Sequence, residues 1–211
     1  MQILSLDEVD STQRYLLELL KSQTYQAPLA VITKCQFAGK GSRGNAWLES
    51  SDNLYFSFAI EKEHLPKDLR LESASIYFTY LLKELLAQQG SKVWLKWPND
   101  FYLGDKKIGG AITNFTKGVL VCGIGLNTKS TPDDFGQLDI EIENILTLEQ
   151  YLKLFENPPQ WKQVFRKYRI EFIKSKNFFT HINEEKISLK DAELLDDGSL
   201  ICEGERIFGL R

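Results

Sequence analysis

KVWLKWPNDFYLGDKKIGGAITNF, residues 92–115, contains no helical period. Two extended runs flank Gly104-Asp105, and a Gly-Asp pair suits the tight turn between antiparallel strands. Pro98 closes the run before them. The stretch therefore reads as one strand ending at Pro98 and then a hairpin, and hairpin pairing points away from a doubly wound parallel sheet.

Working outward, the neighbours agree. GVLVCGIGLNT (118–128) is a buried strand. NLYFSFAIE (53–61) alternates, with Leu54, Phe56, Phe58 and Ile60 on one face. PLAVITKCQ (28–36) is a continuous apolar strand and ILSL (3–6) a first one. Helical spacing marks DSTQRYLLELLKS (10–22), capped by Asp10 or Ser11, and LRLESASIYFTYLLKELLAQQG (69–90), closed by Gly90. Two more helices are expected in TLEQYLKLFE and PPQWKQVFRKYRIEFIKSK. The tail, EKISLKDAELLDDGSLICEGERIFGLR, holds three short strand-like runs. These elements predict an α+β fold, a mixed, mainly antiparallel sheet with helices packed on one side. A composition shift near Asn177–Glu184 predicts a boundary, with a main domain over 1–180 and a short C-terminal β module over 181–211.

Composition excludes several classes. The net charge of −3 offers no global attraction for nucleic acid or anionic lipid. Cys35, Cys122 and Cys202 are scattered and odd in number, which argues against a disulfide framework or a thiolate metal site. With only His64 and His181, a histidine metal centre or a Ser-His-Asp triad is not expected. The start, MQILSLDEVDSTQ, has no cationic, apolar leader, and no apolar run reaches membrane length. Cytoplasm is the expected compartment.

Four stretches are not explained by core building. CQFAGKGSRGNAWLESSDNLYF (35–56) carries Gly39, Gly41 and Gly44 beside Lys40 and Arg43, with no acid between Phe37 and Trp47. No GK[ST] follows and no helix comes next, so neither nucleotide fingerprint applies. Such a loop is either a flexible connection or a nest of main-chain N–H groups for an anion. In KWPNDFYLGDKKIGGAI the hairpin can bring Lys107 to Asp100, and the paired Gly109 and Gly110 suit close approach of a ligand or a backbone. GIGLN (123–127) leaves a gap in a strand wall beside Asn127. DSTQ (10–13) presents hydroxyls at a helix start and needs no function to do so.

In this order the four resemble the catalytic domain of biotin–protein ligases, whose pattern is DST(N/Q), GRGRxGRxW with NLY, KWPNDxY with a downstream K(I/L)xGI, and GxGxN. The resemblance runs from the first strand to the β tail, and KWPND with KKIGG is its most specific part. It implies a ligase that activates biotin with ATP as biotinyl-5′-AMP and passes it to a lysine of a biotin carboxyl carrier domain, of acetyl-CoA or pyruvate carboxylase. It implies biotin contacts at Ser11, Thr12, Gln13, Gln36, Lys40, Gly41, Ser42, Lys107 and Gly110. Adenylate or ATP contacts would be Gly39, Lys40, Gly41, Arg43, Trp47, Asn99, Asn127 and Arg211. Lys107 and Asp100 would be catalytic, with Asp100 a base, an orienter of the incoming lysine or a contact for Mg²⁺ arriving with ATP.

Two departures carry expectations. Ser42 and Asn45 stand where the family loop usually has arginine, so the adenylate would be held less tightly. The chain starts at the catalytic domain's first strand, whereas some relatives begin with a DNA-binding helix-turn-helix, so no DNA binding is expected. A homodimer is compatible with the family. The rival readings are a lipoate or octanoate ligase or transferase of the same fold, and a biotin-binding regulator without turnover.

Overall fold

The computed structural model describes residues 1–39, 41, 51–129, 135–182 and 185–209. The chain begins with β1 (Gln2–Val9), α1 (Thr12–Lys21), β2 (Leu29–Gln36) and β3 (Ser51–Glu61). The long helix α2 (Ala74–Gln88) leads to β4 (Trp94–Lys96), β5 (Asp100–Leu103), β6 (Lys106–Thr116) and β7 (Val119–Leu126). After α3 (Asn144–Lys153) and α4 (Trp161–Glu171) the tail forms β8 (Phe179–Ile182), β9 (Glu185–Ser188), β10 (Glu193–Leu194), β11 (Leu200–Cys202) and β12 (Glu205–Ile207).

β1 to β7 make one sheet in the order β1-β2-β3-β7-β6-β5-β4. Only β1 and β2 run parallel, joined by α1 as the crossover; every other pair in that sheet is antiparallel. The expected mixed, mainly antiparallel sheet is therefore present. The hairpin turns at Gly104-Asp105 as its sequence predicts, with Gly104 at φ +56°. Gly90 follows α2 at φ +102°, a left-handed position that suits glycine at a helix end.

One expectation needs correction: helices cover both faces of the sheet, not one. On β3, Phe56, Phe58 and Ile60 join the core under α2, α3 and α4, where Phe58 meets Phe78 edge-on and Phe56 meets Tyr151. Their neighbour Ala59 points the other way, into a smaller cluster with Leu16 of α1, Leu29, Val31 and Val121. The cause is legible in β2, where Leu29 and Val31 serve one face and Ala30 and Ile32 the other. A strand apolar on both faces needs two covers. α1 supplies the second over β2, β3 and β7, and stops there.

The tail packs into the same core as the sheet, through Leu189, Ala192, Leu200, Cys202 and Ile207. Its first expected run breaks into β9 and β10, and β8 pairs with β9 across the expected 180/181 boundary. Trp97, fully buried, donates from Nε1 to the Gly198 carbonyl at 2.8 Å, so the tail is bonded to the strand end that carries Asn99 and Asp100.

Candidate active site

Side chains on β3, β7 and β6 alternate, so Ser57, Gly123 and Ile112 form one row on the α1 face, and Tyr55, Gly125 and Gly110 the next. Where α1 stops, three glycines in these two rows leave a trough instead of a packed wall. Gly125, Gly110 and Ile112 are half-buried, whereas the opposite face of the same strands is closed by Leu120, Cys122 and Ile124.

At the α1 end of the trough lies a buried polar box. Ser11 caps the helix, its Oγ accepting from the Arg14 N–H at 3.4 Å. Thr12 donates its N–H to Gln36 Oε1 at 3.0 Å, and its hydroxyl meets Ser57 Oγ at 2.8 Å. Gln13 donates from Nε2 to Asn114 Oδ1 at 2.7 Å. Its carbonyl oxygen lies over Gly123, where any side-chain carbon would overlap it. That oxygen is buried and finds no hydrogen-bond partner among the described residues. A buried acceptor without a partner costs about 1–3 kcal/mol, which a ligand N–H can recover.

At the far end is an ion cluster. Lys107 Nζ stands 2.6 Å from Asp100 Oδ1, and Lys96 Nζ stands 3.6 Å from Asp100 Oδ2. Strand register explains how Lys107 gets there. Phe101 pairs with Gly109 and Tyr102 with Lys107, so Ile108 is an extra residue, a β-bulge. Strict alternation from Gly110, which faces the trough, would turn Lys107 to the core face. The bulge sends Ile108 into the core and turns Lys107 to the trough. A Cβ on Gly110 would come within 3.2 Å of Asp100 Oδ1 and 3.7 Å of Lys107 Cε, so the glycine leaves room beside the pair. Gly109 serves another purpose, since a Cβ there would stand 2.6 Å from the Gly125 carbonyl. Burial and the Asp100 charge push the Tyr102 phenol up to about 12, so this ring stays neutral beside the cluster. Counting one residue pair along β7 and two strand spacings across, the box and the ion cluster are separated by roughly 12 Å of sheet.

Other expected residues fall as follows. Gly39 is buried, and Ala38 N–H bonds the Asp10 carbonyl at 2.8 Å, so the glycine loop leaves β2 beside the start of α1. Gly41 is half-buried. Lys40, Ser42, Arg43, Asn45, Trp47 and Arg211 lie outside the described residues. Asn99 is buried and donates to the Ala111 carbonyl; Asn127 is buried and donates to the Gly136 carbonyl at 3.1 Å. These amides bond main chain at the trough's edge. Gly209 packs against Pro98, and its carbonyl accepts from Ser75 Oγ at 3.1 Å.

The family model described as the biotin/lipoate A/B protein ligase family matches residues 6–128, which span the box, the trough and the ion cluster. The chain belongs to this family. Among solved structures similar to it is the biotin acetyl coenzyme A carboxylase synthetase of Helicobacter pylori with bound biotinylated ATP. It is 43% identical, with a TM-score of 0.94, over 98% of this chain and 99% of that one. The bifunctional ligase/repressor BirA of Escherichia coli is 33% identical over 126 residues, 56% of this chain. The biotin–[acetyl-CoA-carboxylase] ligase of Paracoccus denitrificans is 28% identical over 138 residues, 61% of this chain. The chain spans 38% of the length of the first and 55% of the second.

Three polar residues of this family member's site were not singled out from sequence: Ser57, Asn114 and Lys96. Ser57 had a signal, as a lone hydroxyl on the alternate face of an aromatic strand. Lys96 had one too, as the first residue of KWPND, although its contact with Asp100 comes only through strand pairing. Asn114 had none, since it becomes a neighbour of the site only through strand pairing.

Proposed function

We propose that the protein joins biotin to ATP, holds biotinyl-5′-AMP and transfers the biotinyl group to a lysine of a biotin carboxyl carrier domain. One observation carries this reading. A buried polar box with an unpaired acceptor and an ammonium–carboxylate cluster share a glycine floor on one sheet face. That spacing suits a ligand with a compact, neutral head that donates N–H and an acid at the end of an apolar chain. Biotin has this shape. The likeness to the H. pylori protein, over nearly the full length of both chains, supports it.

In the first step a biotin carboxylate oxygen bonds the α-phosphorus of ATP and pyrophosphate leaves with the electrons of the broken P–O bond. Gln13, Thr12, Ser57 and Gln36 hold the ureido head, and Gly123, Gly125 and Gly110 admit the ring and chain. Lys107 turns from Asp100 to the two anions that must meet, and the glycine loop's main-chain N–H groups add to that stabilisation. In the second step the carrier amine bonds the acyl carbon and AMP leaves with the electrons of the broken C–O bond. The amine's proton passes to Asp100 and on to water. Charge placement and positioning suffice, so no covalent enzyme intermediate is required.

Mg²⁺ would enter on the phosphates of ATP. Among the described residues no group of three or more His, Cys, Asp or Glu side chains converges, and both Asp100 oxygens already face ammonium groups. Asp100 therefore does not fit a metal ligand, and no step is routed through the ion. The acceptor on acetyl-CoA or pyruvate carboxylase, the cytoplasm as compartment and a homodimer belong to the same proposal. No helix among the described residues is long and apolar enough to cross a membrane.

The test is mass spectrometry of an apo carrier domain incubated with this protein, biotin, ATP and Mg²⁺. A gain of one biotinyl group on one lysine is expected. Absence of biotin-dependent pyrophosphate release overturns the activity and leaves a binding regulator. The buried box favours biotin over lipoate or octanoate, whose heads carry no N–H donors, and competition between free biotin and lipoate in pyrophosphate exchange separates the two.

A further inference from the structure

We propose that Lys96 is a positioning residue that keeps Asp100 charge-balanced and in place while Lys107 turns to the anions of substrate and adenylate. This rests on the proposed function and assigns a role to a side chain that the reaction scheme leaves unused.

The geometry is a carboxylate between two ammonium groups, one on each oxygen. Lys107 Nζ makes the close bond to Oδ1, at 2.6 Å, and Lys96 Nζ stands off Oδ2 at 3.6 Å. The two lysines differ in freedom. The Lys107 side chain is 29% exposed and follows the hairpin turn into the trough, whereas that of Lys96 is 11% exposed. Lys96 sits directly opposite Asp100 in the β4–β5 ladder, with its Nζ 5.6 Å from the centre of the Tyr102 ring. Its backbone is held on both sides. Leu95 is fully buried in the core, and Trp97 N–H donates to Ser175 Oγ at 3.1 Å. Lys107 is thus the mobile partner and Lys96 the fixed one.

The need for a second partner follows from burial. The Asp100 side chain is only 16% exposed. Taking Lys107 away would leave a mostly buried carboxylate without counter-charge, which is unfavourable and would pull Lys107 back from the substrate. With Lys96 in place, Lys107 can exchange one anion for another while Asp100 stays aimed at the position of the incoming amine. The cluster carries one net positive charge before the substrate binds, and a substrate carboxylate neutralises it.

Lys96→Met keeps the aliphatic stem and removes the charge; Lys96→Arg keeps the charge. Transfer from supplied biotinyl-5′-AMP to a carrier domain, and biotin affinity by calorimetry without ATP, are measured for both and for the parent. Lys96→Met is expected to slow transfer about tenfold or more, equivalent to about 1.4 kcal/mol of barrier, and to weaken biotin by a smaller factor, as Lys107 is drawn back to Asp100. Lys96→Arg is expected within about threefold of the parent. Lys96→Met transferring within about twofold of the parent overturns the inference. So does Lys96→Arg being as slow as Lys96→Met, since stem geometry would then matter and charge would not. A Met variant that loses biotin affinity by the same factor also overturns it. A parent chain that never labels the carrier sinks the functional reading instead, before any variant is compared.

Discussion

Asp100 Oδ1 and Lys107 Nζ stand 2.6 Å apart across a strand pair whose longer partner carries one extra residue, Ile108. The extra residue turns the lysine from the core side of the sheet to the trough, next to Gly110. On the proposed function this ammonium stabilises the charge where carboxylate and α-phosphate meet. Lys107→Ala is expected to lower biotin-dependent pyrophosphate exchange by roughly 10²–10³, the scale seen when one preorganised donor is removed. Because Lys107 is part-exposed, its loss should leave the thermal midpoint within a few degrees. Exchange within about threefold of the parent, in a folded variant, would remove Lys107 from the chemistry.

The glycines of the sheet centre should divide into structural and binding positions. A Cβ at Gly109 meets the Gly125 carbonyl at 2.6 Å and Leu126 Cα at 3.1 Å, both main chain. Gly109→Ala is expected to destabilise the fold by about 1–3 kcal/mol in urea unfolding, because backbone must move. A Cβ at Gly123 instead meets side chains only, the far end of Gln13, which can swing aside, and Ser57 Oγ at 3.0 Å. Gly123→Ala should leave stability nearly unchanged and weaken biotin about tenfold, about 1.4 kcal/mol, as the Gln13 carbonyl loses its place. Equal stability losses in the two variants would contradict this division.

A third expectation comes from the loop's chemistry. On the proposed function, Ser42 and Asn45, which lie outside the described residues, would leave less positive charge for an adenylate than the arginines of the resembling pattern, so it would escape sooner. The protein should label bystander lysines when given biotin and ATP. Ser42→Arg should cut that labelling about threefold or more, on the scale of one charge-assisted hydrogen bond, while carrier labelling persists. Bystander labelling that is unchanged by Ser42→Arg would show that adenylate retention is set elsewhere.

The sequence made the hairpin, the glycine at the end of α2 and the buried strands legible, because turn chemistry and alternation are local. It was silent where information is carried by pairing. The hairpin reading brought Lys107 to Asp100, as found, but strict alternation would put it on the face opposite Gly110, and only the register against Phe101 and Tyr102 reveals the bulge that makes the contact. KWPND places Lys96 in the motif, but only the β4–β5 register sets it opposite Asp100. Ser57 became part of the box when α1 proved to lie on the second face of the sheet, which the two-faced apolar pattern of β2 already implied.

The last prediction concerns pH and lies away from the site. Glu171 on α4 is 9% exposed and faces Lys83 of α2, 3.3 Å away, a lysine equally close to Glu84. Lys174, Tyr80, Tyr168 and the Leu95 main-chain N–H, which bonds the carboxyl, also surround it, and the Tyr168 hydroxyl is buried without a hydrogen-bond partner among the described residues. Burial holds the Glu171 carboxyl above its usual 4.5, although Lys83, Lys174 and the Leu95 N–H pull it down. The folded state therefore retains this proton to higher pH than the unfolded chain does. Stability attributable to Glu171 is full below the usual value and falls as pH rises from about 4.5 through the raised one. Glu171→Gln lacks that loss, and its amide can bond the Tyr168 hydroxyl. In urea unfolding, the stability of Glu171→Gln relative to the parent should rise between about pH 4.5 and pH 7.5. A difference that stays flat, or moves in the parent's favour, would mean that Lys83 compensates the buried charge fully.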